Sequence, residues 1–506
     1  MSKAPKCFKF GVRSFVRTQF LNFLCVSAVS GNLFTVHCSL LFFEDNTMGL
    51  NLPPYLALFV YSVFIFCLLW ADHRRELPVS SSLWLPTIWM GLAGSRTVGL
   101  WLAMAGIYSG SGHFEEGNPA EAVVYLVLIF AGVFILSRRK GRFNILGLIA
   151  PNWPLALLLC YYALAILWSD YPFVSFKRYI KFVGVLIIIL VILTEDDPIL
   201  AFRTAARRCG FILLPLSIVL IKYFAAGVEY DDWSGERLVI GAAEDKNMLG
   251  QVCLVLGLIY SWDIILQLKD RFSKDNRLVL ITDILLLFLA IYLLLKAHSV
   301  TSLVCLTFGC AILFLTRYTF VLKRIGLYII IILPTLLILN YFFDLYNTIT
   351  IALGRDPTLT GRTGIWKLLI SLAGNPLFGT GYEDFWSGIR MLKILDRYHI
   401  NEAHNGYLEI YLNTGLIGLS LFSIFIFSVY YRCREIIQLN LEYGRFAVTF
   451  FFTALLYNCA EAAFKGKGLL FFVFLTIGLR LPETNYERVV YGVRAQAPGL
   501  PVSRAP

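Results

Sequence analysis

Long apolar runs broken by short polar segments fill almost the whole chain. A helix that crosses roughly 30 Å of hydrocarbon needs about 20 mostly apolar residues. Read on that template, the pattern predicts spans near residues 20–43, 55–71, 83–107, 121–137, 145–168, 179–194, 209–226, 248–267, 278–296, 300–316, 325–343, 408–430, 446–463 and 468–481. The fold class expected is all-α, a polytopic transmembrane helical bundle of about 12–14 spans with a large ordered extracytoplasmic loop.

Composition points the same way. Of 506 residues, 58% are hydrophobic and only 15% charged. A soluble chain of this length has no interior large enough to hide so much apolar surface. The eleven cysteines lie mostly inside the apolar runs with no CxxC pairing, so they read as small buried hydrophobes. The basic start, Lys3 to Arg17, leads into a segment long enough to span, and no cleavable signal peptide is expected.

The net charge of +11 changes the picture through its placement. With the N-terminus in the cytoplasm, alternation puts Arg74-Arg75, Arg138-Arg139-Lys140, Arg203 with Arg207-Arg208, Lys269 to Arg277, Lys323-Arg324, Arg432, Arg434 and Arg445 inside. Lys/Arg bias in short loops sets orientation, so both termini are predicted cytoplasmic. The organisation expected is a cytoplasmic N-terminal segment 1–19, a transmembrane bundle 20–343, an extracytoplasmic functional loop 344–407, C-terminal transmembrane helices 408–481 and a cytoplasmic tail 482–506.

The outer segment 344–407 is far longer than the other connections and mixes aromatics with charges, which favours an ordered cap. Ile365, Trp366, Leu368, Leu369 and Leu372 share one side of a helix stopped by Gly374-Asn375-Pro376, which suits an interfacial helix anchored by Trp366. Arg362 at its positive end would favour an anion, or else touch lipid headgroups. His404 sits at the entrance of the next span. There it is expected to stay neutral and accept a proton, with Glu402 or Asn405 fixing its tautomer; a plain hydrogen-bonding role is the alternative. Arg390 and Arg397 are further candidates for an anionic ligand by charge and place. Elsewhere on the outer side, Lys246 and Asn247 enter a span, and Arg178 with Lys177 and Lys181 is placed to line a headgroup site or to snorkel. No Walker loop, GxGxxG, HExxH or zinc-spaced Cys/His set occurs, so neither ATP nor a metal is called for, and no nucleic-acid partner.

Gly361-Arg362 with Trp366, Asn375-Pro-Leu-Phe-Gly-Thr-Gly381 and His404-Asn405 with Gly415-Leu-Ile-Gly418 resemble the bacterial O-antigen ligase and Wzy-type polymerase superfamily, especially exopolysaccharide polymerases of the ExoQ type. Trp168-Ser169-Asp170 with Arg178, Asp245-Lys246-Asn247 and Ser299-Val-Thr-Ser302 match in order. The resemblance implies glycosyl transfer from an undecaprenyl-diphosphate-linked sugar on the outer face of the bacterial inner membrane. The acceptor is a second lipid-linked glycan in a polymerase or lipid A core in a ligase, and the partners are membrane lipids and polysaccharide assembly and export proteins. It carries Arg362 and His404 over as the functional pair, with Lys246 behind them. An inverting reaction without cofactor or metal is expected. An anion or glycan transporter and an assembly scaffold are the rival classes.

Overall fold

The structure, a computed structural model, describes residues 52–73, 79–107, 118–139, 145–230, 235–269, 274–328, 362–398, 400–466 and 468–481. In chain order these include α1 (Pro54–His73), α2 (Trp84–Ala93), α3 (Val98–Met104), α4 (Pro119–Arg138), α5 (Ile145–Ile149), α6 (Trp153–Ala165), α7 (Pro172–Leu193) and α8 (Pro198–Tyr223). A two-stranded antiparallel hairpin follows, β1 (Val228–Tyr230) and β2 (Arg237–Val239), then α9 (Lys246–Lys269), α10 (Lys274–Lys296) and α11 (Val300–Leu315). The last group is α12 (Arg362–Leu372), α13 (Gly388–Tyr398), α14 (Gly406–Leu439), α15 (Leu441–Ala460) and α16 (Leu469–Gly478). All lie in the compact unit formed by residues 53–326 with 362–506; residues 1–52 with 327–361 are a second unit. The expected span 20–43, most of the span 325–343, the beginning of the outer loop and both terminal segments lie outside the described residues.

This is an all-α polytopic membrane protein. Six described helices are long and apolar enough to cross a bilayer: α1, α4, α8, α9, α10 and α14. The apolar stretches of α8 and α9 are each 72% buried by protein, whereas that of α1 is 11% buried and leaves Tyr55, Phe59 and Phe66 bare. A helix apolar all round and uncovered by protein suits a lipid neighbour. Helix starts follow local chemistry. Proline opens α4, α7 and α8, where its missing N–H costs nothing. Asn118, Asp197, Asn405 and Asn440 accept hydrogen bonds from first-turn amides of α4, α8, α14 and α15.

Two expected spans are split into separate helices. The run 83–107 forms α2 and α3 with a turn between them at Arg96, and 145–168 forms α5 and α6. Arg96 explains the first break. Its guanidinium donates to the carbonyls of Ala226 and Gly241, while its own amide bonds Ala242 O at 3.0 Å and Thr97 N bonds Glu244 Oε1 at 3.0 Å. A buried charge needs carbonyl partners, and turning the chain toward the segment after the hairpin supplies them.

The basic residues read as inner-side orientation signals are also structural. Along α8, Arg203 pairs with Asp263 of α9 at 2.5 Å, Arg207 with Asp283 of α10 at 3.1 Å and Arg208 with Asp72 of α1 at 2.8 Å. Gln267 gives Asp283 a further donor. One helix thus pins three neighbours through carboxylates buried almost completely. Such pairs fix which helices meet, because a mismatched register strands a charge in apolar surroundings.

At the other end α14 is broken at Gly415, where φ is 64° and ψ is −166°. The loop 375–381 fills the break. Leu416 N bonds Pro376 O at 2.9 Å and Ile417 N bonds Leu377 O at 3.2 Å, while Thr380 N and Gly381 N bond Leu412 O and Asn413 O at 3.2 and 2.9 Å. The loop backbone therefore takes over hydrogen bonds that a continuous helix would have made itself. Glycine is required at 415 twice over. A Cβ there would lie 2.3 Å from the Leu377 backbone, in a left-handed conformation that side chains resist.

Asp283→Ala should lower unfolding stability by about 3 kcal/mol, because it leaves Arg207 charged and unpaired. Replacing both partners, as Arg207→Met with Asp283→Leu, should recover most of the loss in thermal denaturation followed by intrinsic fluorescence. Gly415→Ala should expel the 375–381 loop, with a cost of at least about 2 kcal/mol and new protease cleavage near Phe378.

Candidate functional site

The polypeptide reaches α14 through Glu402, Ala403, His404 and Asn405. Asn405 Oδ1 accepts from Tyr407 N at 3.0 Å and Leu408 N at 3.1 Å, so this side chain caps the helix. His404 adopts the left-handed region with φ 48°, uncommon outside glycine and a mark of a held position. The residue before it is gripped from both sides. Trp366 of α12 donates its indole N–H to Ala403 O at 2.9 Å, and Ala403 N donates to Glu409 Oε2 at 3.1 Å. Glu409 Oε1 in turn accepts from the Trp386 indole at 2.5 Å. Beneath them Leu369, Phe385, Ile394, Ala403 and Leu412 form a closed apolar cluster that joins α12, α13 and the start of α14.

Trp366 is thus a strut from α12 to the His404 turn. This ties the Gly-Arg segment to the His-Asn segment through their backbones. Arg362 opens α12, and its side chain lies outside the described residues, as do those of Arg397 and all of His399.

Around His404 the side chains form an ionic group. Nδ1 lies 3.2 Å from Glu402 Oε1 and 3.1 Å from Glu461 Oε2, the latter at the end of α15. Lys465, in the loop before α16, reaches Glu402 Oε2 at 3.0 Å and Glu409 Oε1 at 3.9 Å. Burial alone would lower the His404 pKa, but the bonds and charges of both carboxylates outweigh it and hold it up at about 9. Burial would raise Glu402, but Lys465 and His404 outweigh that and hold it far below the usual carboxylate range. The expectation of a neutral His404 therefore fails. The helix N-terminus does oppose the imidazolium, but two carboxylates in direct contact win over a partial backbone charge. Glu402 does orient the ring, as one of the two expected residues; Asn405 does not, and Glu461 shares the task. With Nδ1 so engaged, Nε2 is the nitrogen these carboxylates leave for a substrate.

The other expected binders are placed as follows. Lys246 and Asn247 open α9, whose first turn is capped by Asp245 Oδ1 through Asn247 N at 2.8 Å and Met248 N at 2.9 Å. This turn borders the site: Tyr457 Oη bonds Asn247 O at 3.4 Å, and the charges of Asp245 and Glu402 act on one another. Arg178 donates to Glu383 O. Arg390 is held by Asp170 at 2.7 Å and by buried Asp384 at 3.1 Å, which already neutralise a guanidinium expected to meet an anionic ligand. Lys181 pairs with Glu121. One oxygen each of Glu402 and Glu461 and one nitrogen of His404 lie within 4.8 Å of one another, and among the described residues this is the set able to hold a metal ion. A cation there would have to displace the imidazolium proton and compete with Lys465 for Glu402.

Residues 285–423 match the O-antigen ligase family Wzy_C. The chain is also 25% identical over 351 residues to the exopolysaccharide production protein ExoQ of Rhizobium meliloti strain 1021, covering 62% of this chain and 77% of that one. The resemblance to the O-antigen ligase and Wzy-type superfamily holds. The apolar helices make this a multi-pass membrane protein that resembles ExoQ over part of its length. The family segment includes Arg362, His404 and Glu409, but ends before Glu461 and Lys465. Those two, with Glu409 and Trp386, were not singled out by sequence reasoning. The available signal was an acid or base at the outer edge of an apolar run, which is costly unless partnered.

Since His404 carries its proton to about pH 9 in the fold and to its ordinary 6.5 outside it, its contacts stabilise the protein below pH 6.5 and cease to do so as pH rises through 9. The thermal midpoint in detergent should therefore fall from pH 6.5 to about pH 9.5 more steeply in the native protein than in His404→Gln.

Proposed function

We propose that this protein is a membrane glycosyltransferase that polymerises undecaprenyl-diphosphate-linked oligosaccharide repeats on the outer face of the bacterial inner membrane, with both termini cytoplasmic. The observation that carries this reading is the rigidly held His404, oriented by two carboxylates within the segment that matches the O-antigen ligase family. His404 Nε2 takes the proton from the acceptor hydroxyl as its oxygen bonds to the anomeric carbon of the donor. The bond from that carbon to the diphosphate oxygen breaks, and undecaprenyl diphosphate leaves with the electron pair. Glu402 and Glu461 stabilise the imidazolium that forms. Arg362 binds the diphosphate with its planar fork, and Lys246, at the head of α9, is the second candidate cation. Attack opposite the leaving group inverts the anomeric centre. Diphosphate is already a good leaving group, so cationic side chains suffice and no metal is needed.

Transfer to lipid A core, the ligase reaction, is the second reading, favoured by the name of the matched family. It uses the same groups with another acceptor. Deletion separates the two: loss of long polymer with single repeats intact marks a polymerase, whereas polymer left on its lipid carrier marks a ligase.

With a lipid-linked repeat as substrate, His404→Ala should cut transfer by about 10²–10⁴ and Arg362→Ala by about 10²–10³, both proteins still reaching the membrane. Only neutral His404 can accept a proton, so kcat/KM should rise tenfold per pH unit up to about 9. A rate that instead falls above pH 9 would make the imidazolium a diphosphate ligand and end the base assignment. EDTA should leave the rate unchanged; loss restored by Mg²⁺ would overturn the metal-free route.

A further inference from the structure

The geometry points to Glu409 and Lys465 as a pair of positioning residues that fix the His404 turn and tune its ring without touching the substrate. The proposal rests on the reading of His404 as the reactive group. Glu409 is buried in the first turn of α14 and uses both carboxylate oxygens: Oε2 accepts from the amide next to His404 and Oε1 from the Trp386 indole. Lys465 Nζ stands between this carboxylate and Glu402, 3.9 Å from one and 3.0 Å from the other. Glu402 then meets His404 Nδ1. A line of alternating charge therefore runs from the floor of the site to the imidazole, carried by residues from three separate segments. The Lys465 loop is itself anchored, since Gly466 N donates to Glu383 Oε1 and Ala463 N and Phe464 N donate to buried Asn458.

The two members act on His404 with opposite sign. Glu409 draws on Lys465 and so limits how fully Lys465 neutralises Glu402. Without the Glu409 charge, Lys465 commits to Glu402, and the ring loses part of its counter-charge. Without Lys465, a cation disappears and Glu402 turns wholly to the ring. Among the described residues, further charged groups around this line are Glu461 on the ring, Asp245 beside Glu402 and Glu383 beside Lys465. They stay in place in both variants, so the difference between variants reports Glu409 and Lys465 alone.

Diethyl pyrocarbonate modifies neutral imidazole, and mass spectrometry of the fragment carrying His404 gives a titration midpoint that needs no transferase activity. In the full-length protein in detergent, Glu409→Gln should lower that midpoint and Lys465→Met should raise it, each by about one pH unit, with Lys465→Arg restoring the native value. The activity limb should move with each midpoint. Midpoints that stay put, or move in the same direction, overturn the pairing. Should Glu409→Gln fail to fold, the contrast between Lys465→Met and Lys465→Arg decides alone. Shifted midpoints without a shifted activity limb would keep the pairing and dismiss His404 as the base.

Discussion

An imidazole held between two carboxylates at the mouth of a membrane helix is the constraint on which this end of the protein turns. Ion pairs in poorly solvated surroundings are worth having only when their geometry is held, since a partner that drifts leaves a charge uncompensated. Here Glu402 comes from the turn before α14 and Glu461 from the end of α15, so the contact requires those two helices to end at one level. The grip on Ala403, the Asn405 cap and the apolar cluster under the turn all serve that requirement.

Much of the motif that carries the family resemblance is scaffolding by this account. Asn375 to Gly381 enters the break of α14 and supplies backbone partners, while Gly415 makes the break sterically possible. Asn405 spends its oxygen on the helix start, and Arg390 is clamped by Asp170 and Asp384. What remains for the proposed chemistry is small: His404 with its carboxylates, and Arg362 at the head of a helix braced against the His404 turn by Trp366.

The apolar periodicity made the helical membrane architecture legible, because hydrocarbon leaves the backbone few alternatives. It misjudged continuity where a single residue overrode the pattern, as at Arg96, whose guanidinium needs carbonyls that a straight helix would not offer. Arg362 and His404 could be singled out because they stand in a polar segment among glycines. Glu461 and Lys465 could not. They follow the same pattern as any charged residue at a span edge, and only the meeting of α14 with α15 and the loop after it brings them to His404. The charge state of His404 was misread for the same reason. The local sequence showed the helix terminus that opposes a proton, and the fold added the second carboxylate that retains it.

That retained proton bears on how such a centre handles an anionic donor. A cluster of carboxylates would repel a diphosphate if His404 were neutral at rest. Protonated, with Lys465 nearby, it offsets two of those negative charges, and Arg362 adds a cation at the positive end of α12. Arrival of the diphosphate holds the imidazolium more tightly still, so proton loss from His404 must precede its capture of the acceptor proton. Under the proposed reaction that proton goes to solvent as pH rises toward 9, since the diphosphate becomes a free terminal phosphate only after its bond to the anomeric carbon has broken. Under that reaction the carboxylate pair acts during transfer, where it stabilises the charge that the acceptor's proton creates.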